Sequence, residues 1–127
     1  MREEAINWWE QALKDLEIAK KNLDIESFYV SAFLSQQATE KALKALYIHR
    51  LRDTPGKTRS LLHLGREVGI PNEFYHSLRK LNPDFVLTRY PDVADGVPYE
   101  LYDEEIALEK IGFAEEVLKW VEKELKK

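Results

Sequence analysis

Apolar residues recur at spacings of three, four and seven residues along most of this 127-residue chain, and no segment shows the strict alternation of a β-strand. A first helix is predicted from about residue 3 to residue 23, with an apolar stripe of Ile6, Trp9, Leu13, Leu16 and Leu23. A second is predicted from about residue 26 to residue 50, with a packing seam of Val30, Leu34, Ala38, Ala42 and Ala45. The pattern therefore predicts an all-α fold.

A third long helix is predicted to begin after Asp103, whose carboxylate can cap the first turn. Its core stripe consists of Ala107, Ile111, Ala114, Leu118, Val121 and Leu125, widened by Phe113, Val117 and Trp120. Two shorter helices are predicted, one over residues 61–67 after the cap Ser60 and one from the cap Asn72 to about Leu81. The prediction is a single domain over residues 1–127, an antiparallel up-and-down helical bundle of three long and two shorter helices.

Residues 82–102 carry three prolines and one glycine, and they are predicted to form a long irregular connection. Ordered connections of this length are uncommon in small domains and often carry function. This one contains Thr88-Arg89-Tyr90-Pro91-Asp92. A guanidinium matches the geometry of a phosphate, and a neighbouring tyrosine can stack on a base. The alternative is that Arg89 forms a salt bridge that ties the connection to the bundle.

Composition excludes several classes of protein. The chain has no cysteine, which rules out disulfides, thiolate metal sites and a cysteine nucleophile. The acidic N-terminus lacks the plan of a secretory signal, and no apolar run is long enough to cross a bilayer, so a soluble, cytoplasmic protein without membrane contact is expected. The net charge of -4 argues against a protein that coats nucleic acid through bulk electrostatics, and no duplex DNA partner is expected. Abundant Lys and Glu are compatible with a thermophilic source.

The basic residues are unevenly distributed. Residues 41–66 contain seven basic residues and one acidic residue, whereas the rest of the chain is strongly acidic. A basic block in an acidic chain could receive a phosphate, an RNA segment or an acidic partner. It could equally be a solvated helix end followed by a loop, because Lys and Arg near a helix C-terminus complement its dipole.

The second helix carries a polar stripe beside its apolar seam, formed at spacings of three and four by Phe33, Gln37, Glu40, Lys41 and Lys44. An amide, a carboxylate and two ammonium groups can line a surface where this helix meets a ligand or a partner. The alternative is an ordinary exposed face with a Glu40–Lys44 ion pair, which stabilises a helix by only about 0.3–0.5 kcal/mol.

The three histidines, His49, His63 and His76, give no strong catalytic or metal-binding pattern. Only His63 and Glu67 have a spacing suited to sharing a metal, and no metal site is expected. The glycines are too dispersed for a phosphate-binding loop, and no serine hydrolase motif is present. For RNA cleavage, Arg59 and His63 are the nearest pair that could stabilise charge and transfer a proton.

The run Phe33-Leu-Ser-Gln-Gln-Ala-Thr-Glu-Lys-Ala-Leu-Lys-Ala-Leu46, together with Arg89-Tyr90-Pro91-Asp92 and the final helix, resembles the prokaryotic HEPN domain over nearly the whole chain. The resemblance implies a helical bundle that usually dimerises and that is often encoded beside a minimal nucleotidyltransferase as half of a toxin–antitoxin pair. It also implies nucleotide binding or metal-independent RNA cleavage by an Arg-x(4–6)-His motif. Arg59 and His63 are separated by only three residues, so that motif is not intact and enzymatic activity stays open.

Carried over by position, the resemblance implies a binding site for a nucleotide, RNA or a partner at Gln37, Glu40, Lys41, Lys44, Arg89, Tyr90 and Asp92. The catalytic candidates are Arg59, His63 and Arg89, and no cofactor is expected. The expected function is binding of a nucleotide or RNA phosphate by a homodimer paired with a minimal nucleotidyltransferase. The alternatives are a ribonuclease toxin with an atypical site and a purely structural helical dimer with Trp8 and Trp9 at its interface.

Overall fold

The computed structural model describes residues 1–127 and confirms the all-α fold. Its elements in chain order are α1 (Glu3–Lys21), α2 (Phe28–Leu51), α3 (Leu61–Val68), a 3-10 turn (Asn72–Phe74), α4 (Tyr75–Leu81), α5 (Asp84–Leu87), α6 (Pro91–Ala94), a second 3-10 turn (Pro98–Leu101) and α7 (Glu104–Leu125). The three long helices α1, α2 and α7 pack together, and the short elements lie between α2 and α7 in the chain. None of these helices has the length and apolar character that crossing a bilayer demands.

Helix α2 is the centre of the bundle and packs against both α1 and α7. The alanines predicted for its seam, Ala38, Ala42 and Ala45, are fully buried, and Leu43 and Leu46 extend the core beside them. Small side chains let neighbouring helices approach closely. Because neighbouring elements cover most of the circumference of α2, many of its polar side chains are buried as well.

Helix α1 buries its predicted stripe of large apolar residues only in part, since Leu13 is exposed and the other members are half-buried. The buried positions are Ala5, Ala12 and Ala19, seven residues apart, together with Asp15. Alanine allows α1 to lie close to α2, and this contact selects the face that turns inward. Leu13 is 43% exposed. Trp9 and Leu16 pack against the core from its edge, and together with Leu13 they line a groove of about 430 Å³ between α1 and α7.

Helix α7 follows its prediction closely. The Asp103 carboxylate accepts a hydrogen bond of 2.8 Å from the backbone N–H of Ile106, which is the expected N-cap. Every member of the predicted core stripe is buried, namely Ala107, Ile111, Ala114, Leu118, Val121 and Leu125. Glu104 and Glu105 occupy the first turn, where negative charge favours the helix dipole.

The segment 82–102 is not irregular, and in this respect the prediction was wrong. It forms α5, α6 and the second 3-10 turn, and its prolines precede or begin these elements rather than interrupt them. Pro91 and Pro98 stand in the first turn of their helices, where the missing N–H costs nothing. Similarly, the helix after residue 71 begins with a 3-10 turn and no side-chain cap, so Asn72 is not the cap that was predicted.

A buried polar triad ties this segment to the bundle. The Asp84 carboxylate accepts a 2.7 Å hydrogen bond from the Tyr102 hydroxyl, and the Lys110 ammonium lies 2.8 Å from its other oxygen. Burial raises the pKa of Asp84, although the hydrogen bond from Lys110 acts in the opposite direction. Burial, followed by the neighbouring carboxylate, raises the pKa of Tyr102 far above its ordinary value. The triad therefore fixes both ends of residues 84–102 against α7.

Candidate site at two arginines on one aromatic ring

The polar stripe of α2 forms a buried cluster. Glu40 accepts a hydrogen bond of 3.1 Å from the Lys44 ammonium and a longer one of 3.4 Å from Gln36. Gln37 donates to Gln36 at 2.7 Å, and the Trp8 indole covers Lys44, with the ammonium 5.3 Å from the ring centroid. The predicted Glu40–Lys44 pair thus forms, but inside the protein rather than on an exposed face. Buried charges persist when they are paired and hydrogen-bonded in this way.

Arg59 connects this buried cluster to the surface. One of its guanidinium nitrogens lies 3.5 Å from the Glu40 carboxylate, while its side chain is 52% exposed and that of Glu40 only 3%. Glu40 is therefore flanked by two cations, Lys44 from within and Arg59 from outside. The three side chains carry a net charge of about +1, and the surplus positive charge lies on the exposed side.

Arg89 is held by aromatic rings instead of a carboxylate. Its guanidinium carbon lies 5.3 Å from the ring centroid of Phe33, 4.2 Å from that of Phe85 and 4.9 Å from that of Tyr90. Its Nε donates a hydrogen bond of 2.8 Å to the backbone carbonyl of Phe85. Arg89 forms no salt bridge, so the structural ion pair considered for it is replaced by cation–π contacts. Its contact with Phe33 brings the α2 stripe and the segment 82–102 together.

Phe85 joins the two arginines. The guanidinium carbon of Arg59 lies 4.4 Å from its ring centroid and that of Arg89 lies 4.2 Å from the same point, which keeps the two groups within about 9 Å of each other. The sequence interpretation did not single out Phe85. The available signal was its position four residues before Arg89, which is a helical neighbour only if the segment between them is helical.

Several predicted site residues lie elsewhere. Lys41 forms an ion pair of 2.6 Å with Asp15, which also accepts a hydrogen bond from Gln11, so it joins α2 to α1. Asp92 is exposed and forms no ion pair. The His63 imidazole lies 3.9 Å from the Glu67 carboxylate, whereas Arg59 turns to Glu40. No group of three or more His, Asp and Glu side chains is arranged to hold a metal ion.

The HEPN domain family model matches residues 5–124, which include α2, both arginines and the complete Asp84 triad. This chain belongs to the HEPN family. The domain covers nearly the whole chain, and the two arginines, Phe85 and the buried α2 cluster all lie within it.

Two solved structures share this HEPN fold. TT1696 from Thermus thermophilus is 30% identical, with a TM-score of 0.87 over 97% of this chain and 99% of that one. ST0689, an archaeal HEPN homologue, is 31% identical, with a TM-score of 0.81 over 98% of this chain and 99% of that one. The comparison with curated proteins finds no match. The likeness extends along the full length of both solved chains.

Proposed function

We propose that this HEPN domain binds the phosphate of a nucleotide or of RNA between Arg59 and Arg89. The observation that carries the proposal is the pair of guanidinium groups on the ring of Phe85, 4.4 and 4.2 Å from its centroid. Guanidinium groups present several N–H donors in a plane, which suits phosphate oxygens. The contacts with Phe85 restrain both guanidinium groups in one region of the surface, which lowers the ordering entropy that binding of an anion would cost.

Charge balance supports an anionic ligand. Glu40, Lys44, Arg59 and Arg89 together carry two positive charges in excess, and Arg89 has no carboxylate partner. Two neighbouring cations repel each other, and a phosphate placed between them relieves that repulsion. Gln37, Glu40 and Lys44 act here as the buried support of Arg59, whereas Lys41 and Asp92 receive no role in phosphate contact.

Tyr90 extends the proposed site from a phosphate to a nucleotide. It is 44% exposed and follows Arg89 directly, so its ring is available for stacking beside the phosphate site. Stacking of a base on an aromatic side chain contributes about 1–3 kcal/mol and tolerates different bases. The preferred ligand is therefore a nucleotide or single-stranded RNA rather than a free phosphate.

The proposal extends to partners. HEPN domains commonly dimerise, and we infer that this one acts as a homodimer paired with a minimal nucleotidyltransferase in a toxin–antitoxin arrangement. The support is the family membership alone. Co-expression with a nucleotidyltransferase encoded next to this gene would give a stable complex on size-exclusion chromatography. The lack of any such neighbour, or of a complex with it, would contradict the pairing.

The direct test is binding of ATP and of a short single-stranded RNA, without added metal, to the wild type and to Arg59→Ala, Arg89→Ala and Tyr90→Ala. Each arginine variant is expected to weaken binding about tenfold or more, since a charge-assisted hydrogen bond is worth about 1.5–3 kcal/mol. Arg79→Ala is the matched control, because Arg79 is exposed on α4 and forms no ion pair. Unchanged binding in both arginine variants would place the ligand elsewhere.

The same RNA, analysed for cleavage, tests the ribonuclease alternative. Cleavage by the wild type that is lost in Arg89→Ala or His63→Ala would replace the binding role with catalysis. Absence of both cleavage and binding, together with a stable dimer, would favour the purely structural role.

A further inference from the structure

Exposed apolar side chains are concentrated in the segment that directly follows Arg89 in the chain. Of the ten large apolar side chains that are strongly exposed in the whole protein, five fall within twelve consecutive residues, namely Tyr90, Val93, Val97, Tyr99 and Leu101. We call these five side chains the 90–101 patch. Single exposed apolar residues are normal, whereas a concentration of them marks an interaction surface.

The backbone that carries this patch is held in place at both ends. Pro98 and Tyr102 on the same segment are buried, and the Tyr102 hydroxyl is bound to Asp84 at 2.7 Å. Thr88, at the start of the segment, donates a hydrogen bond of 2.6 Å to the backbone carbonyl of Asp84. The patch is thus presented to solvent between two anchored points, which lowers the entropy lost when a partner covers it.

The charge around the patch defines the chemistry of its partner. From Tyr90 to Glu109 the chain contains no Lys or Arg and seven carboxylates, all exposed, at Asp92, Asp95, Glu100, Asp103, Glu104, Glu105 and Glu109. None of them forms an ion pair. Asp103, Glu104 and Glu105 serve the start of α7, but the other four have no partner in the protein. An apolar surface with an acidic border is complementary to a basic and partly apolar surface.

We propose that residues 90–109 form a docking surface for a basic, partly apolar segment of a partner protein. RNA is disfavoured here, because its phosphates carry the same charge as the seven carboxylates. A second copy of this chain is a poor match. Between residues 50 and 66, Arg50 and Arg59 are already paired with Glu124 and Glu40, which leaves three basic side chains, Arg52, Lys57 and Arg66. The surface adjoins the phosphate site and shares Tyr90 with it, but its other apolar residues and its carboxylates have no role in phosphate binding.

The test uses a synthetic amphipathic peptide of leucine and lysine, titrated into the isotope-labelled full chain and followed by backbone amide NMR shifts. A second peptide with glutamate in place of lysine is the control ligand. The expected result is saturable binding of the basic peptide alone, with the largest shifts in residues 90–109. Shifts spread over the whole acidic surface, or equal binding of both peptides, would overturn the proposal.

Matched variants separate the patch from general charge effects. Asp92→Asn/Asp95→Asn/Glu100→Gln removes three carboxylates at the surface, and Glu3→Gln/Glu4→Gln/Glu10→Gln removes three exposed carboxylates on α1. Tyr99→Ser removes one exposed apolar side chain within the patch, and Ile25→Ser removes one outside it as the control. The variants at the surface are expected to weaken peptide binding about tenfold, and the controls less than about twofold. Equal losses in the two sets would refute a specific surface.

Two further measurements assign the occupant. If a single-stranded RNA shifted the amides of residues 93–109, beyond the neighbourhood of Tyr90, the surface would belong to RNA and the proposal would be wrong. If the wild type formed a dimer that dissociated in Asp92→Asn/Asp95→Asn/Glu100→Gln but not in the α1 control, a second copy would be the occupant, again against the proposal. The expected result is that the wild type and the surface variant have the same mass in solution.

Discussion

The guanidinium carbon of Arg59 lies 4.4 Å from the ring centroid of Phe85. The Arg59 side chain is half exposed. Arg59 comes from the loop before α3, and Phe85 lies in the first turn after Pro83. The contact therefore positions a cation from one part of the chain beside Arg89 from another. Since both guanidinium groups contact this ring, its removal is expected to affect binding more than stability.

Phe85→Leu is expected to lower affinity for ATP and for single-stranded RNA about three- to tenfold, because the loss of two cation–π contacts of about 0.5–1 kcal/mol each leaves both arginines less ordered. Isothermal titration measures the affinity, and thermal unfolding measures the accompanying loss of stability. Phe28→Leu is a matched control, since Phe28 is a half-buried phenylalanine at the start of α2 without a cation–π contact. Equal loss of affinity in both variants would show that Phe85 has no special role in positioning.

Lys44→Met is expected to reduce the free energy of unfolding by about 3–5 kcal/mol, because it removes the inner partner of a buried carboxylate. The side chains of Lys44 and Glu40 are only 7% and 3% exposed. The double variant Glu40→Gln/Lys44→Met is expected to recover much of that loss, since no unpaired charge then remains buried. Urea unfolding gives both values. If the effects of Glu40→Gln alone and Lys44→Met alone summed to that of the double variant, the pair would contribute no coupling energy.

The stability of the wild type is expected to depend on the protonation of Asp84. Burial raises the pKa of this carboxyl above its ordinary 3.8, so the folded protein holds the proton more tightly than the unfolded chain does. As the pH rises through 3.8 towards the folded pKa, the unfolded state loses its proton first and gains relative stability.

The measurement compares the wild type with Asp84→Asn in urea unfolding at a series of pH values. The difference in unfolding free energy, wild type minus variant, is expected to fall as the pH rises through this window and then to level off. A difference that grows with pH would mean that the Lys110 ion pair outweighs burial.

Gly65→Ala is expected to cost about 1–3 kcal/mol through overpacking. A Cβ at Gly65 would lie 2.7 Å from Cδ1 of Leu78 and 3.0 Å from Cγ2 of Ile70, so the side chains of these two buried residues would have to shift within the core. Gly112→Ala in α7 is the matched control, because a Cβ there meets nothing within 4 Å. That control is expected to stabilise the protein by about 0.5–1 kcal/mol, as alanine favours a helix over glycine. Thermal unfolding measures both effects. If both variants were destabilised, or both stabilised, this reasoning would be contradicted.

The elements best predicted from sequence are those whose local signals agree with their tertiary contacts. Helix α7 combines the Asp103 cap with a stripe that is buried as predicted. In α1 the large apolar residues are mostly half-buried, because close packing against α2 places Ala5, Ala12 and Ala19 at the centre of the contact. The identity of the buried face there depends on the neighbouring helix and not on the side chains of α1 alone.

The candidate site was only partly predictable. Arg89, Tyr90 and the polar stripe of α2 carry recognisable chemistry, and the resemblance to the HEPN domain pointed to them. The Arg59–Glu40 contact joins residues separated by a helix end and a loop, and local spacing gives no sign of it. Phe85 was missed because three prolines suggested an irregular segment, whereas each of them precedes or begins a helical turn.

The Asp84–Tyr102–Lys110 triad also constrains how this protein can diverge. Replacement of Asp84 leaves the buried Tyr102 hydroxyl without a partner, and replacement of Lys110 leaves the buried Asp84 carboxylate without a counterion. Related chains are therefore expected to retain the three residues together or to exchange them together for apolar side chains of similar volume. In lineages that have lost the triad, the short helices between residues 84 and 102 would be free to acquire a different arrangement, and Arg89 would move with them.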